Sequence, residues 1–240
     1  MFGLSIGMAI ACVLTVYVGA TVQASIGIGL GMIASPLLAF ADPDFIPAAI
    51  MLAVLPLTFA IAWVDREHVE KRDVGFALIG RVPGTIAGAL VVAALSDRVL
   101  AVMVAVSVLV AVVASIAGRI FRPTDRALMV AGLASGFAGT TTGVGGPPMA
   151  LTYQSSDPAT MRATISAFFA IGSVMSIAAL ALAGQIGTRQ IQLTLLILPA
   201  VGLGVVTARL LKGYLQPGVV RPAVLVICTA AAIALLVETF

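Results

Sequence analysis

One histidine and two cysteines in 240 residues leave little from which to build a metal centre or a nucleophilic triad. His68 sits in a charged loop, so neither a histidine-based metal site nor a Ser-His-Asp arrangement inside an apolar run has its parts. Cys12 and Cys228 lie deep in apolar runs and read as small packing residues rather than a disulfide or a metal site. Charge is scarce as well. Asp, Glu, Lys and Arg make up 10% of the chain, against about a quarter in soluble domains, which excludes an ordinary soluble fold. The net charge of +3 comes from scattered loop Arg and Lys, so no basic face for nucleic acid is indicated. Acids are missing from the apolar interiors altogether. All ten fall in loops, at span borders or near the C-terminus, which leaves no acidic relay and no intramembrane carboxylate pair. With no His-Glu-x-x-His either, the expectation is a protein that is not an enzyme and needs no cofactor or metal.

What remains is 61% apolar, with a mean hydropathy of +1.17. Apolar runs of about 20 residues, each long enough to cross roughly 30 Å of hydrocarbon, recur from end to end. The expected class is an all-α polytopic membrane protein of the cell (inner) membrane, with no soluble domain at either end. The first run has no positive n-region and no polar cleavage segment, and so reads as a retained segment. The clearest full spans are 45–64, 74–95, 99–117, 160–183, 191–208 and 219–237.

Two stretches do not fit a single crossing. Residues 4–41 would make about 57 Å of helix, and a Gly-rich segment at 23–31 interrupts them. Residues 127–154 are interrupted by Gly139-Thr140-Thr141-Thr142-Gly143-Val144-Gly145-Gly146-Pro147-Pro148. Glycines at this density weaken a helix, and Pro147-Pro148 cannot continue one from upstream.

The two breaks match one another. An offset of 116 places Gly27-Ile28-Gly29 on Gly143-Val144-Gly145, Pro83 on Pro199 and Gly88 on Gly204, with Asp42 and Asp157 near the same offset. An internal duplication is expected, with residues 1–120 and 121–240 as two repeats of one membrane domain. If each broken element re-enters and returns to its own side, ten loop cations collect on one face and two on the other. If each crosses once, the split is seven to five. The positive-inside rule prefers the lopsided arrangement, hence inverted repeats, each a Gly-interrupted broken or re-entrant helix followed by three transmembrane helices.

Backbone groups freed by a break inside a membrane must be buried in protein or line a polar cavity. Tight packing of small residues accounts for a pair such as Gly84 and Gly88. The breaks also carry hydroxyls and an amide, so the candidate substrate-binding residues are Gln23, Ser25, Gly27, Gly29, Gly139, Thr140, Thr141, Thr142, Gly143, Gly145 and Gly146. Helix starts at Leu30 and Pro147 would aim N–H groups and a partial positive charge of about half a unit at the gap. An anion is the ligand this favours. Arg81, within the 74–95 span, is read as an interfacial snorkelling arginine or as a charge lining the anion path. Arg162 and Arg209 read as cations at span ends, and Tyr17, Trp63 and Tyr214 as interfacial anchors. An anion leaving an inside-negative cell is driven outward by about 2.3 kcal/mol per charge per 100 mV, roughly fortyfold in gradient. Export therefore needs no coupling ion.

The run Gly136-Phe137-Ala138-Gly139-Thr140-Thr141-Thr142-Gly143-Val144-Gly145-Gly146-Pro147-Pro148, with the matching 19–36 segment, resembles the TauE/SafE sulfite-exporter family, also called the toluene-sulfonate uptake permease family. The resemblance covers essentially the whole chain. It implies transport of small sulfur-containing anions such as sulfite or organosulfonates, with members associated with both export and uptake. The first break departs from the second in lacking Pro-Pro. The expected function is an exporter or facilitator working by alternating access; an anion channel or a cation-coupled uptake permease are the alternatives. Expected partners are the anion and membrane lipid, and the composition suits a monomer or a homodimer.

Overall fold

A computed structural model describes residues 3–27, 29–117, 123–154, 156–211 and 217–240. Ile28 and Tyr214 lie outside the described residues, as do Arg119, Arg122 and Lys212, three of the ten loop cations counted on one face. Helices run in the order α1 (Ile6–Ile26), α2 (Leu30–Ala41), α3 (Ala48–Val64), α4 (Lys71–Ala94), α5 (Asp97–Ala117), α6 (Asp125–Thr142), α7 (Gly146–Thr152), α8 (Pro158–Leu182), α9 (Thr188–Leu210) and α10 (Pro217–Thr239). Short 3-10 turns at Pro43–Phe45 and Arg66–His68 flank α3. Among the described residues, seven helices, namely α1, α3, α4, α5, α8, α9 and α10, are long and apolar enough to cross a membrane. The protein is a multi-pass membrane protein. Ile6, Leu14, Val113, Val130 and Leu203 lie exposed along the helices, where lipid rather than water would meet them.

Both expected breaks are present but narrower than the sequence reading placed them. Gln23 and Ser25 stay inside the last turns of α1, and Gly139 through Thr142 stay inside α6. The side chains explain why the helices persist so far. Thr141 and Thr142 donate back to Phe137 and Ala138 carbonyls, and Ser25 donates to the Thr21 carbonyl, bonds that a helical backbone supplies. The chain turns where Gly27 and Gly143, 116 positions apart, cap α1 and α6 with φ of 89° and 75°. That left-handed conformation strains any residue with a Cβ.

Each broken element turns back toward the end from which it started. Gly3, before α1, and Asp42, after α2, both lie against Arg189 at the start of α9. On the other element, Asp125 at the start of α6 pairs with Arg72 at 2.9 Å. Tyr153, just after α7, donates to the neighbouring Asp73 at 2.7 Å. These two meeting points lie at opposite ends of the bundle. α3 leads away from Asp42 and Asp44 to Asp65, and α4 begins six residues later at Lys71.

Helix packing follows the glycines. Gly80, Gly84, Gly132 and Gly136 let α4 and α6 touch backbone to backbone; a Cβ on Gly80 would stand 1.9 Å from the Met129 carbonyl oxygen. α1 packs in the same way along α9, where Gly204 meets Ala20. Two main apolar cores result among the described residues, and a smaller cluster of Ala48, Ala89, Val92, Leu100 and Leu180 bridges them between α3, α4, α5 and α8. One joins α1, α2, α3, α5, α9 and α10 around residues such as Val16, Leu38, Ile50, Val108 and Ile197. The other joins α4, α6, α7 and α8 around Ala77, Leu128, Met149, Ile165 and Phe168. Cys12 and Cys228 are free thiols buried in the first core. Trp63 is 72% exposed beneath the Arg66 guanidinium, as an interfacial anchor would be. Tyr17 instead shares a hydrogen bond with Thr207 across the α1–α9 contact.

Candidate functional site

The two turns meet. Gly31, at the start of α2, approaches the Gly143 carbonyl so closely that a Cβ there would stand 2.1 Å from the oxygen. Beside this crossing, between the two apolar cores, lies a cavity of about 30 Å³. That is room for roughly two or three water-sized oxygens. Gln23, Gly29, Gly31, Met32, Met51 and Val54 wall it from the first core. Arg81, Gly139, Phe169 and Ser173 wall it from the second, and Gly143 to Gly146 cross between.

Arg81 is the largest fully buried side chain of the described residues, 1% exposed, which rules out the snorkelling alternative. Its position is built by both sides of the second core. Nη1 donates to Ser135 at 3.4 Å and Nη2 to Ser176 at 3.3 Å, both longer than an ordinary N–H···O bond. The guanidinium carbon lies 4.8 Å and 5.8 Å from the Phe168 and Phe169 ring centres, within cation–π range. Gly172 makes this placement feasible, because a Cβ there would stand 2.1 Å from Arg81 Nε. Among the described residues, which include all ten acids, no carboxylate pairs with Arg81, and its Nε has no hydrogen-bond partner. Ser173, on the same cavity, likewise keeps a buried hydroxyl with no partner. A buried cation whose nearest groups are neutral hydroxyls and aromatic faces makes this cavity attractive to an anion.

Seven of the twelve expected site residues line the cavity: Gln23, Gly29, Arg81, Gly139, Gly143, Gly145 and Gly146. The other five do not. Ser25 and Gly27 lie past the cavity toward Arg162, Ser25 bonded to Thr21 and Gly27 packed on the Arg162 backbone. Thr141 and Thr142 spend their hydroxyls on carbonyls of their own helix, and the Thr140 hydroxyl shares a hydrogen bond with that of Ser176, one bond removed from Arg81. The Gln23 side-chain oxygen accepts the Leu30 N–H at 3.1 Å and so caps α2 itself. Sequence reading missed Ser135, Phe168, Phe169, Gly172, Ser173 and Ser176. On α8 the signal was present, since residues 168, 169, 172, 173 and 176 recur at helical spacing, but nothing local connected them with Arg81.

A different motif points nowhere. Gly3-Leu4-Ser5-Ile6-Gly7 has the spacing of a nucleophile elbow, but Ser5 caps α1 by accepting from the Met8 N–H, and His68 stands beyond the opposite end of the bundle. No group of three or more potential metal ligands occurs among the described residues.

Among the described residues, seven helices long and apolar enough to cross a membrane surround a cavity lined by the buried Arg81, which defines the class as a multi-pass membrane protein. The family model for Sulfite exporter TauE/SafE matches residues 11–235, and the chain belongs to that family, membrane transporters of sulfite or related anions. Neither the curated proteins nor the solved structures contain a match to it.

Proposed function

We infer that the chain exports or facilitates the movement of a small sulfur-containing anion, sulfite before larger sulfonates, held between the two glycine-rich turns and exposed alternately to either side. One observation carries this reading: the two turns, 116 positions apart in sequence, close on a single cavity where, among the described residues, Arg81 is the one charged side chain and has no acidic partner. Arg81 supplies the charge, Ser173 a hydroxyl, and Gly29, Gly139, Gly143, Gly145 and Gly146 close backbone approach, while Ser25, Gly27 and Thr140 to Thr142 support the turns from behind. The small volume favours an anion with about three oxygens over one with an aromatic body.

Residues 1–120 and 121–240 are then inverted repeats. Support comes from the opposite ends at which the two broken elements turn back, and from the like pairing of α4 with α6 and α1 with α9. Such repeats rocking about a central site give alternating access. The absence of acids from the interiors of the spans favours export down the membrane potential. Flux into proteoliposomes at clamped potential, with sulfite, sulfoacetate, taurine, sulfate and acetate, tests the reading. Saturable movement of sulfite without sodium or a pH gradient is expected. Ohmic, non-saturating current would replace the carrier by a channel, and strict dependence on sodium or protons would replace export by coupled uptake.

A further inference from the structure

We propose that the protein is an anion exchanger: a small oxyanion on the far side accelerates transport, because the carrier crosses readily only when an anion neutralises Arg81. This rests on the transport reading above and adds to it which step limits turnover.

Arg81 is anchored wholly in the α4–α6–α7–α8 core, through Ser135, Ser176 and the Phe168 and Phe169 rings. The facing wall, with Gln23, Met32, Met51 and Val54, lies on α1, α2 and α3, helices of the other core. Moving one core against the other to change the side of access passes through a state in which the cavity is closed to water on both sides. With an oxyanion bound, that state holds a neutralised pair. Without one, it holds a guanidinium among a methionine pair, a valine and aromatic rings, with two long hydroxyl bonds and a free Nε as its compensation. An uncompensated buried charge is far more costly than a paired one, so the empty crossing is the slow one. Net efflux needs that empty return in every cycle; one-for-one exchange avoids it. When the two anions carry equal charge, exchange moves no net charge across the membrane, so its rate is independent of voltage, whereas net efflux is not.

The test uses the purified full chain in proteoliposomes and labelled sulfite outside, with either sulfite or a large impermeant organic anion in the lumen. Lumenal sulfite is expected to speed uptake at least tenfold, and a potassium–valinomycin potential to leave the accelerated rate unchanged. Equal rates with the two lumenal anions would overturn exchange while leaving transport intact. Sulfite binding to the detergent-purified protein with no uptake under either condition would overturn exchange and, with it, transport. Absence of both binding and uptake would overturn the transport reading itself. Ser176→Asp places a carboxylate within reach of Arg81 Nη2. It is expected to abolish sulfite binding in a protein whose melting temperature stays at or above that of the parent. Undiminished sulfite binding in that variant would mean that the anion does not serve as the counter-charge of Arg81, and would overturn the proposal.

Discussion

Gly172→Ala adds a single methyl at the point where the Arg81 head is seated. The new carbon would stand 2.1 Å from Nε, 2.4 Å from Cζ and 2.6 Å from Cδ, against an ordinary contact starting at 3.4 Å. Arg81 has to withdraw by about 1.3 Å or more. Its bonds to Ser135 and Ser176, already 3.3–3.4 Å long, do not survive such a shift. A displacement of about 1 Å at a binding centre costs on the order of 100-fold where geometry is tight. Loss of one charge-assisted bond alone accounts for about 1.5–3 kcal/mol, or roughly 10- to 150-fold. Sulfite affinity of the detergent-purified variant should therefore fall by about 10- to 100-fold, as measured by equilibrium binding of labelled sulfite. Helical content and elution volume should be kept, because the clash falls on a side-chain head rather than on backbone. Gly202→Ala, in α9 with open space where the Cβ goes, is the matched control and should bind as the parent does. Unaltered sulfite affinity in Gly172→Ala would refute the claim that the Arg81 head, in this position, holds the anion.

Other substitutions separate the site from its supports. Thr141→Val and Thr142→Val remove hydroxyls that bond only within the turn and its helix, so sulfite affinity should stay within about twofold of the parent. Thr140→Val, which frees Ser176, should weaken it more; the same binding assay ranks the three. Gly132→Val drives a side chain into the Ala77 carbonyl oxygen, 1.9 Å from the Cβ position, and should lower stability by about 1–3 kcal/mol or more, read as an earlier thermal transition in detergent. The Asp65–Arg162 ion pair, 2.8 Å and largely shielded, ties α3 in one core to α8 in the other. Arg162→Gln should shift the balance toward the state open at that end by about 1 kcal/mol, around fivefold. Faster maleimide labelling of Ser25→Cys, in a chain with Cys12 and Cys228 changed to alanine, would register the shift; an unchanged rate would exclude the pair as a gate.

Much of the architecture was legible because it depends on local patterns. The six spans read from apolar runs correspond to α3, α4, α5, α8, α9 and α10 to within a few residues at most ends. Both breaks fall inside their expected segments because Gly27 and Gly143 need a left-handed backbone. The breaks were read too wide, since a glycine count does not register that Ser25, Thr141 and Thr142 can back-bond to the helix and prolong it. α1 is also longer than expected, long enough to span on its own. Arg81 was legible as one of two alternatives. Deciding between them required the seat formed by Gly172, Phe168 and Ser176, almost a hundred residues away in the chain. No periodicity within α4 carries that information, because the partner helix supplies the seat.

The most direct measurement of the central claim is an experimental structure of the purified protein with selenite, a pyramidal oxyanion like sulfite whose selenium is located by anomalous scattering. The account predicts one strong peak in the cavity between Arg81 and Ser173, lost in Arg81→Gln. A peak elsewhere in the bundle, or one that persists in Arg81→Gln, would contradict it.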